Sequence, residues 1–361
     1  LAIRRFRFDL ASPCAHRGGD MTESPPDPID ASRPTLKTIA AATGLAIATV
    51  SRALKDAPDI GEETKRRVRE TALKLGYRPN RAGVRLRTGK TNVIALVLST
   101  ETDVMNHTSQ LIYSIAAALR GTAYHLVVMP FFPDEDPMSP IRYLVETESA
   151  DGVILNQTTP DDPRIRYMAE RGFPFATHGR TDLGLDHPYF DYDNEAFARA
   201  GVRELARRGR KRLLLIAPPR GHNYARHMIT GFMEQSALQG VVFEVLTTAT
   251  SDSGSTRIEA AVVERLNQTN PPDGLVVGST TAAMAAVAGA ETTGLMIGRD
   301  FDLVAKEAIS FLHRFRRGII VFHEDVGRAG EFLARAVMAA IERRAPEQGQ
   351  FIDTPTSFKS D

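Results

Sequence analysis

The chain has 361 residues, a formal net charge of +1, and 42% hydrophobic and 25% charged residues. This balance excludes a largely disordered protein, the length suggests two or three domains, and no apolar run approaches the roughly 18 residues of a membrane-spanning helix. The one cysteine, Cys14, excludes intramolecular disulfides and any zinc site built on several thiolates.

The charge is unevenly distributed along the chain. Between Arg33 and Lys90, fourteen lysines and arginines stand against five aspartates and glutamates, which gives this segment a net charge of +9 and leaves about −8 for the remainder. A basic segment joined to an acidic body predicts a polyanionic partner for the first part only.

Residues 1–33 are predicted to form a disordered tail. The arginines near its start, such as Arg4 and Arg5, are not followed by the apolar segment of a secretory signal. The stretch Ser24–Pro28 is rich in proline and aspartate. We therefore expect folded structure to begin near residue 34.

Residues 34–80 have the pattern of a helix-turn-helix domain. Ile39 belongs to the apolar face of a first helix, and Gly44 stands where that helix would end with a positive φ. Val50 and Leu54 mark the apolar face of a second helix at i, i+4 spacing. An ordinary helical hairpin in a core would show the same pattern, but the charge of +9 favours a helix that enters the major groove of DNA.

A third helix is predicted over about residues 62–75, with Val68, Ala72 and Leu75 on its buried face. Residues 81–91 follow as a basic hinge helix or linker. One short turn of helix is not stable alone, so we expect a partner or DNA to order it.

This segment resembles the DNA-binding headpiece of the LacI/GalR family of bacterial repressors, without gaps from Thr35 to Leu86. The resemblance includes Thr49-Val50-Ser51-Arg52 and the Tyr77-x-Pro79-Asn80 stop. It implies base contacts from Ile47, Ala48 and Arg52, phosphate contacts from Thr49 and Ser51, and insertion of Leu86 into the minor groove. The full set of DNA-binding positions that it implies is Leu36, Ile47, Ala48, Thr49, Ser51, Arg52, Tyr77, Asn80 and Leu86. At the N-cap of the third helix the family usually has Ser or Thr, whereas this chain has Gly61. Glycine also serves as an N-cap and lowers helix stability by only about a few tenths of a kcal/mol.

Residues 92–361 are predicted to form an α/β body. Seven short apolar strand candidates alternate with eight amphipathic helix candidates, the pattern of parallel sheets covered on both faces. No GxGxxG or GxxxxGK[ST] motif indicates a dinucleotide or nucleoside triphosphate site, and no cofactor is implied.

Three pieces of the body carry a further resemblance and occur in the expected order: Pro174–Arg180, Asp191-Tyr192-Asp193-Asn194 and Arg208–Leu213. On these pieces, the body resembles the effector-binding core that the same family shares with periplasmic sugar-binding proteins. The expected fold is therefore a helical headpiece plus a periplasmic-binding-protein-like core of two parallel-sheet subdomains. The first subdomain would comprise about 92–190 and 324–348, and the second about 191–323 and 349–361.

The resemblance places ligands at the carboxyl ends of the strands. The candidate effector-binding residues are Thr100, Arg180, Asp191, Tyr192, Arg226, Ser279 and Glu307. Each has a plain structural role as its alternative, and Glu307 with Lys306 could equally be a solvated surface pair. His178 or His323 could reach the cleft, but no histidine spacing indicates a metal site or a catalytic group.

The resemblance thus implies a homodimeric transcriptional regulator, most simply a repressor, in the bacterial cytoplasm on nucleoid DNA. It would bind a pseudo-palindromic operator under control of a small polar effector such as a sugar or glycoside. The segment after Ile341 lacks leucine heptads, which favours a dimer over a tetramer. The alternatives are a purine co-repressor in place of the sugar, a sugar-binding protein without DNA function, and an enzyme, for which no catalytic motif is visible.

Overall fold

The structure is a computed structural model, which describes residues 34–77, 85, 89–100, 105–345 and 349–357. The predicted tail of residues 1–33, most of the predicted hinge and the candidates Asn80 and Leu86 lie outside the described residues. The chain divides into two compact units, residues 1–87 and 88–361. In the described part of the chain, no helix is both long and apolar enough to cross a membrane.

The described residues of the first unit form a bundle of three helices: α1 (Leu36–Thr43), α2 (Ile47–Leu54) and α3 (Glu62–Lys74). The side chains of Thr35 and Thr38 form a capping box at the start of α1. Gly44 ends α1 with φ at 67°, as the sequence predicts, because a residue with a Cβ atom is strained in this conformation.

The core of this unit joins all three helices through buried side chains that are at most 8% exposed. They are Ile39 and Ala40 from α1, Val50 and Ala53 from α2, and Val68 and Ala72 from α3. The prediction that Leu75 is buried is wrong, since it is the C-cap of α3 and 38% exposed. A residue at the last turn lies beyond the helices that would cover it.

The second unit contains two sheets. The strands of the first sheet are β1 (Val93–Ser99), β2 (His125–Phe131), β3 (Gly152–Leu155), β4 (Phe175–His178), β5 (Tyr189–Tyr192) and β11 (Gln350–Asp353). Their order is β11-β5-β4-β3-β1-β2, and every neighbouring pair is parallel.

The strands of the second sheet are β6 (Arg212–Ile216), β7 (Val242–Val245), β8 (Gly274–Val277), β9 (Asp302–Glu307), β10 (Ile319–His323) and β12 (Thr356–Ser357). Their order is β12-β10-β9-β8-β6-β7. The pairing of β12 with β10 is antiparallel, and the other pairs are parallel.

Helices connect the strands. They are α4 (Met105–Ala118), α5 (Met138–Glu146), α6 (Pro163–Glu170), α7 (Asn194–Arg207), α8 (Asn223–Gln239), α9 (Ser255–Leu266), α10 (Thr280–Thr292), α11 (Leu312–Phe315) and α12 (Val326–Ile341). Apolar clusters lie on both faces of each sheet, so each subdomain has three layers with the sheet in the middle. The edge strand β2 is an exception, since Val127 and Val128 are 39% and 38% exposed.

The chain crosses between the sheets three times, after β5, after β10 and after β11. The first sheet extends through Tyr192, close to the predicted boundary at about residue 190. The predicted assignment of residues 349–361 to the second subdomain is wrong in part, because residues 350–353 pair with β5 of the first sheet. Their backbone completes the open edge of β5, whereas β12 alone returns to the second sheet.

Candidate functional site

One candidate surface is the solvent face of α2 in the first unit. Ile47 is 43% exposed, and Ala48 and Arg52 are also exposed, while Thr49 and Ser51 are half-buried. Because Val50 and Ala53 fill the opposite face, these five side chains occupy the side of the helix that is available to a partner.

Two other predicted DNA contacts take part in the core of this unit. Leu36 and Tyr77 are half-buried and pack against the apolar cluster. The structure therefore gives both residues a packing role, whatever else they contact. The guanidinium of Arg52 is paired with Asp59, and both side chains are about half exposed.

A second candidate site is a cleft in the second unit that is partly open to solvent. It lies where strands of both sheets end, as expected for a ligand site in parallel α/β sheets. Its polar lining comprises His107, Asn156, Gln157, His178, Asp191, Tyr192, Asn194, Tyr224, Asp252, Ser279, Thr280, Thr281, Lys306, Glu307 and Glu324.

Several polar atoms of this lining are buried without a hydrogen-bond partner among the described residues. They are His107 Nδ1, Asn156 Oδ1, Gln157 Nε2, His178 Nε2, Tyr192 OH and Glu307 Oε1. Orphaned buried polar atoms are rare in folded proteins because each costs about 1–3 kcal/mol. Their concentration in one cleft indicates a site for a ligand with many hydrogen-bonding groups.

Asp191 and His178 have strongly altered acidities. Burial raises the pKa of Asp191 to about 7, although Arg180, whose Nε lies 3.2 Å from Asp191 Oδ2, acts in the opposite direction. Burial lowers the pKa of His178 to about 3, and the neighbouring His107 acts in the same direction. His178 is therefore neutral near pH 7.

Lys306 and Glu324 form a buried ion pair in the cleft, with Lys306 Nζ 2.9 Å from Glu324 Oε2. Lys306 also donates a hydrogen bond of 3.0 Å to Asn194 Oδ1, and His107 Nε2 lies 3.2 Å from Glu324 Oε1. Burial opposes ionisation of Glu324, but Lys306 and His107 outweigh it and hold the pKa of this carboxyl well below its usual value.

Comparison with known proteins identifies the family. Residues 91–313 match the family described as "Periplasmic binding proteins and sugar binding domain of LacI family", and residues 35–80 match "Bacterial regulatory proteins, lacI family". The chain belongs to the LacI family of bacterial regulatory proteins. It is a DNA-binding transcriptional regulator with a helix-turn-helix headpiece.

Similar proteins agree with this assignment. The HTH-type transcriptional regulator AglR of Rhizobium meliloti is 31% identical over 87% of this chain and 90% of its own length. The lac repressor dimer, solved with operator and the anti-inducer ONPF, has a TM-score of 0.79 at 19% identity, covering 91% of this chain and 98% of that one. A CelR–cellobiose complex has a TM-score of 0.66 at 22% identity, covering 91% and 99%.

The cleft of this LacI-family chain includes four of the seven predicted effector residues: Asp191, Tyr192, Ser279 and Glu307. Ser279 is also the N-cap of α10, where its Oγ accepts a 3.2 Å hydrogen bond from Ala282 N. It donates a 3.0 Å bond to Ser251 O. Its hydroxyl is thus held in a fixed position at the wall of the cleft.

The other three predicted effector residues do not line the cleft. Thr100 lies in a separate depression with Phe132 and Pro219. Arg226 is exposed, and its Nη1 lies 2.6 Å from Asp182 Oδ2. Arg180 acts behind the lining through its ion pair with Asp191.

The interpretation of Lys306 and Glu307 as a solvated surface pair is wrong. Successive residues of a strand point to opposite faces, so the two side chains of β9 separate. Glu307 is 1% exposed, and its Oε2 accepts hydrogen bonds of 3.0 Å from Phe311 N and 2.8 Å from Leu312 N. Lys306 pairs with Glu324 instead.

Sequence reasoning missed several residues of the cleft. They are His107, Asn156, Gln157, Asn194, Tyr224, Asp252, Thr280, Thr281, Lys306 and Glu324. A usable signal exists for Asn156 and Glu324, because each directly follows a buried strand, β3 or β10.

His107, His178 and Glu324 have potential metal-ligating atoms within 4.8 Å of one another. Two imidazoles and a carboxylate are a common donor set for zinc. Glu324, however, is already paired with the ammonium of Lys306, which repels a metal cation. We therefore interpret the three side chains as hydrogen-bonding groups for an organic ligand.

Proposed function

We propose that this protein is a repressor whose operator binding is controlled by a sugar or glycoside in the cleft of the second unit. The observation that carries the proposal is the set of buried, unpartnered polar atoms at the strand ends of both sheets. Sugar hydroxyls both donate and accept hydrogen bonds, so they can satisfy amide, imidazole, phenol and carboxylate groups together. Tyr224, which is half-buried, adds aromatic surface against which a sugar ring can pack.

The coupling of sugar to DNA follows from the position of the cleft. A ligand that contacts strand ends of both sheets binds most tightly to one arrangement of the two subdomains, and the three crossovers are the points about which that arrangement changes. A ligand with this differential affinity shifts the population and thereby alters operator affinity.

A sugar fits the cleft better than a purine does. The lining offers carboxylates, amides and hydroxyls from many directions, which suits a ring with hydroxyls on all sides more than a planar base with polar groups at its edges. The CelR–cellobiose complex, which has the same fold, has a disaccharide as its ligand.

The proposal includes a homodimer, because two-fold symmetry of the protein matches a pseudo-palindromic operator. The second unit exposes Tyr113 on α4, at 70%, and the side chains of Val127 and Val128 on the adjacent edge strand β2, which together form an apolar edge that a second copy can cover. The lac repressor that shares this fold was solved as a dimer.

We expect the wild-type protein to sediment as a dimer and the Tyr113→Arg variant to sediment as a monomer. A monomeric wild type would contradict the proposed homodimer.

The proposal places the protein in the bacterial cytoplasm, where the DNA is, and assigns no enzymatic activity to the cleft. The family is one of transcriptional regulators. Chromatography of a sugar incubated with the protein tests this assignment, and the appearance of a product would contradict it.

Selection of genomic DNA fragments by the purified protein at fixed salt, repeated with a panel of neutral sugars, tests the proposed function. We expect enrichment of one palindrome and its loss with one sugar. A palindrome that responds only to purines would overturn the effector class, and no enrichment would overturn the operator role.

A further inference from the structure

The cleft is rich in carboxyl groups and poor in cations. Among the described residues that line it, the acidic ones are Asp191, Asp252, Glu307 and Glu324, and Lys306 is the single lysine or arginine. The stretch that precedes His107 and lies outside the described residues, 101–104, contains no lysine or arginine in its sequence. His178 adds no positive charge near pH 7 because burial lowers its pKa to about 3.

The one ammonium group of the lining is already engaged. Lys306 Nζ lies 2.9 Å from Glu324 Oε2 and 3.0 Å from Asn194 Oδ1, and the Lys306 and Glu324 side chains are only 13% and 6% exposed. The centre of the Tyr192 ring is 5.2 Å from the same nitrogen. The charge of Lys306 is thus compensated by a partner that is itself shielded from water.

Two guanidinium groups behind the lining also have carboxyl partners. Arg180 lies against Asp191, and Arg164 lies 2.7 Å from Asp162 with both side chains almost completely buried. An anionic group that enters the cleft would therefore meet carboxylates on several sides. To bind Lys306, it would have to displace Glu324 and leave that carboxylate buried and unpaired, which is costly.

We propose that Glu324, by occupying Lys306, makes the cleft selective for uncharged sugars and excludes phosphorylated and other anionic sugars. The inference rests on the proposed function and names its ligand class. Uncharged hydroxyls do not disturb the ion pair, and they can donate hydrogen bonds to the carboxylates of the lining. A phosphate dianion has no hydrogen to donate, and the same carboxylates repel it. Glu324 thus determines specificity through Lys306.

Calorimetric titration of the full chain tests the selectivity. The ligands are cellobiose, sucrose and trehalose, their 6-phosphates, and inorganic phosphate. We expect at least one neutral disaccharide to bind, its 6-phosphate to bind about 100-fold more weakly, and inorganic phosphate to give no heat of binding. A 6-phosphate that binds as tightly as the neutral sugar would overturn this inference and leave the proposed sugar control intact.

If neither form of any sugar binds, the proposed effector class fails, and this inference fails with it. Binding of a purine, titrated into the same protein under the same conditions, would identify that outcome. The two failures are therefore distinguishable in one experiment.

The role of Glu324 is tested by Glu324→Gln, which releases the charge of Lys306. We expect the affinity for the phosphorylated sugar, divided by the affinity for the neutral sugar, to rise at least tenfold. One new charge-assisted contact is worth a factor on the order of ten. The control is Glu331→Gln on the exposed face of α12, where Glu331 pairs with Arg335, and no change is expected there.

The double variant Lys306→Gln with Glu324→Gln removes the ammonium as well and should abolish the gain. An unchanged ratio in Glu324→Gln, or a gain that persists in the double variant, would overturn the role of Glu324. Should Glu324→Gln lose its native circular dichroism spectrum, the wild-type titration and the double variant, whose two amides can hydrogen-bond, decide the question.

Discussion

At the residue scale, Arg52 shows how the headpiece keeps a side chain that is predicted to contact DNA available. Its guanidinium is about half exposed and paired with Asp59, which is equally exposed. Exposed ion pairs contribute about 0–1 kcal/mol. A bidentate contact to guanine is worth about 1–3 kcal/mol, so an operator can outcompete Asp59 for Arg52.

Replacing Arg52 by alanine is expected to weaken operator binding by about 1–3 kcal/mol while leaving non-specific binding nearly unchanged, because the lost contact reads a base. Competition binding at fixed salt, with operator and with random DNA, measures both. The control is Arg66→Ala, an exposed arginine on α3 that pairs with Glu63 and Glu70. Equal losses on both DNAs would contradict the base-reading role of Arg52.

Asp191 should make the second unit less stable as the pH rises. Its pKa is about 7 in the folded chain against an ordinary value of 3.8, so the folded state binds more protons between these limits. The stability that Asp191 contributes is therefore present below about pH 4 and is lost as the pH rises through 7. The largest slope from one group is about 1.4 kcal/mol per pH unit.

Urea unfolding of the wild type and of Asp191→Asn from pH 5 to 8 measures this contribution. We expect the decline in unfolding free energy with pH to be less steep in the variant. Asp161→Asn, which removes an exposed carboxyl at the start of α6, is the control. Parallel wild-type and Asp191→Asn curves would show that Asp191 is already ionised at low pH.

At the element scale, the sequence predicts the helices of the second unit well and several of its short strands poorly. Each of the eight helix candidates corresponds to a helix of the second unit, with ends that agree or differ by a few residues, and the four-residue α11 has no counterpart among them. Strand β11, with the sequence Gln-Phe-Ile-Asp, has no continuous apolar run because it lies at an edge and is only partly covered. Its place in the sheet depends on pairing with β5, which local pattern does not encode.

The candidate site divides in the same way. Asp191, Tyr192, Ser279 and Glu307 could be predicted because they follow or end strands that resemble those of the family. The ion pair of Lys306 with Glu324 could not, since it joins neighbouring strands through side chains 18 positions apart in sequence. Tertiary placement alone determines that pair.

The packing of α7 against α8 requires a glycine at position 231. A Cβ atom there would lie 2.3 Å from the carbonyl oxygen of Glu195, which belongs to helix backbone and cannot move aside. Gly231→Ala should therefore lower the unfolding free energy by about 1–3 kcal/mol. The control is Gly221→Ala, where a Cβ atom meets nothing within 4 Å. Equal denaturation midpoints for the two variants would contradict this packing.

At the scale of the whole molecule, the uneven charge separates two tasks. The basic first unit supplies the electrostatic attraction to DNA, and the acidic second unit holds the cleft. Control by a sugar requires a coupling free energy between sugar binding in the second unit and operator binding by the first. Linkage makes this coupling reciprocal: if the sugar weakens operator binding by some factor, the operator weakens sugar binding by the same factor.

The most direct test of the account is therefore calorimetric titration of the sugar found in the selection experiment into the free protein and into the protein saturated with its operator. The account predicts weaker sugar binding in the presence of operator, by the same factor by which the sugar weakens DNA binding, on the order of 5- to 150-fold. Equal sugar affinities with and without operator would contradict sugar control of DNA binding.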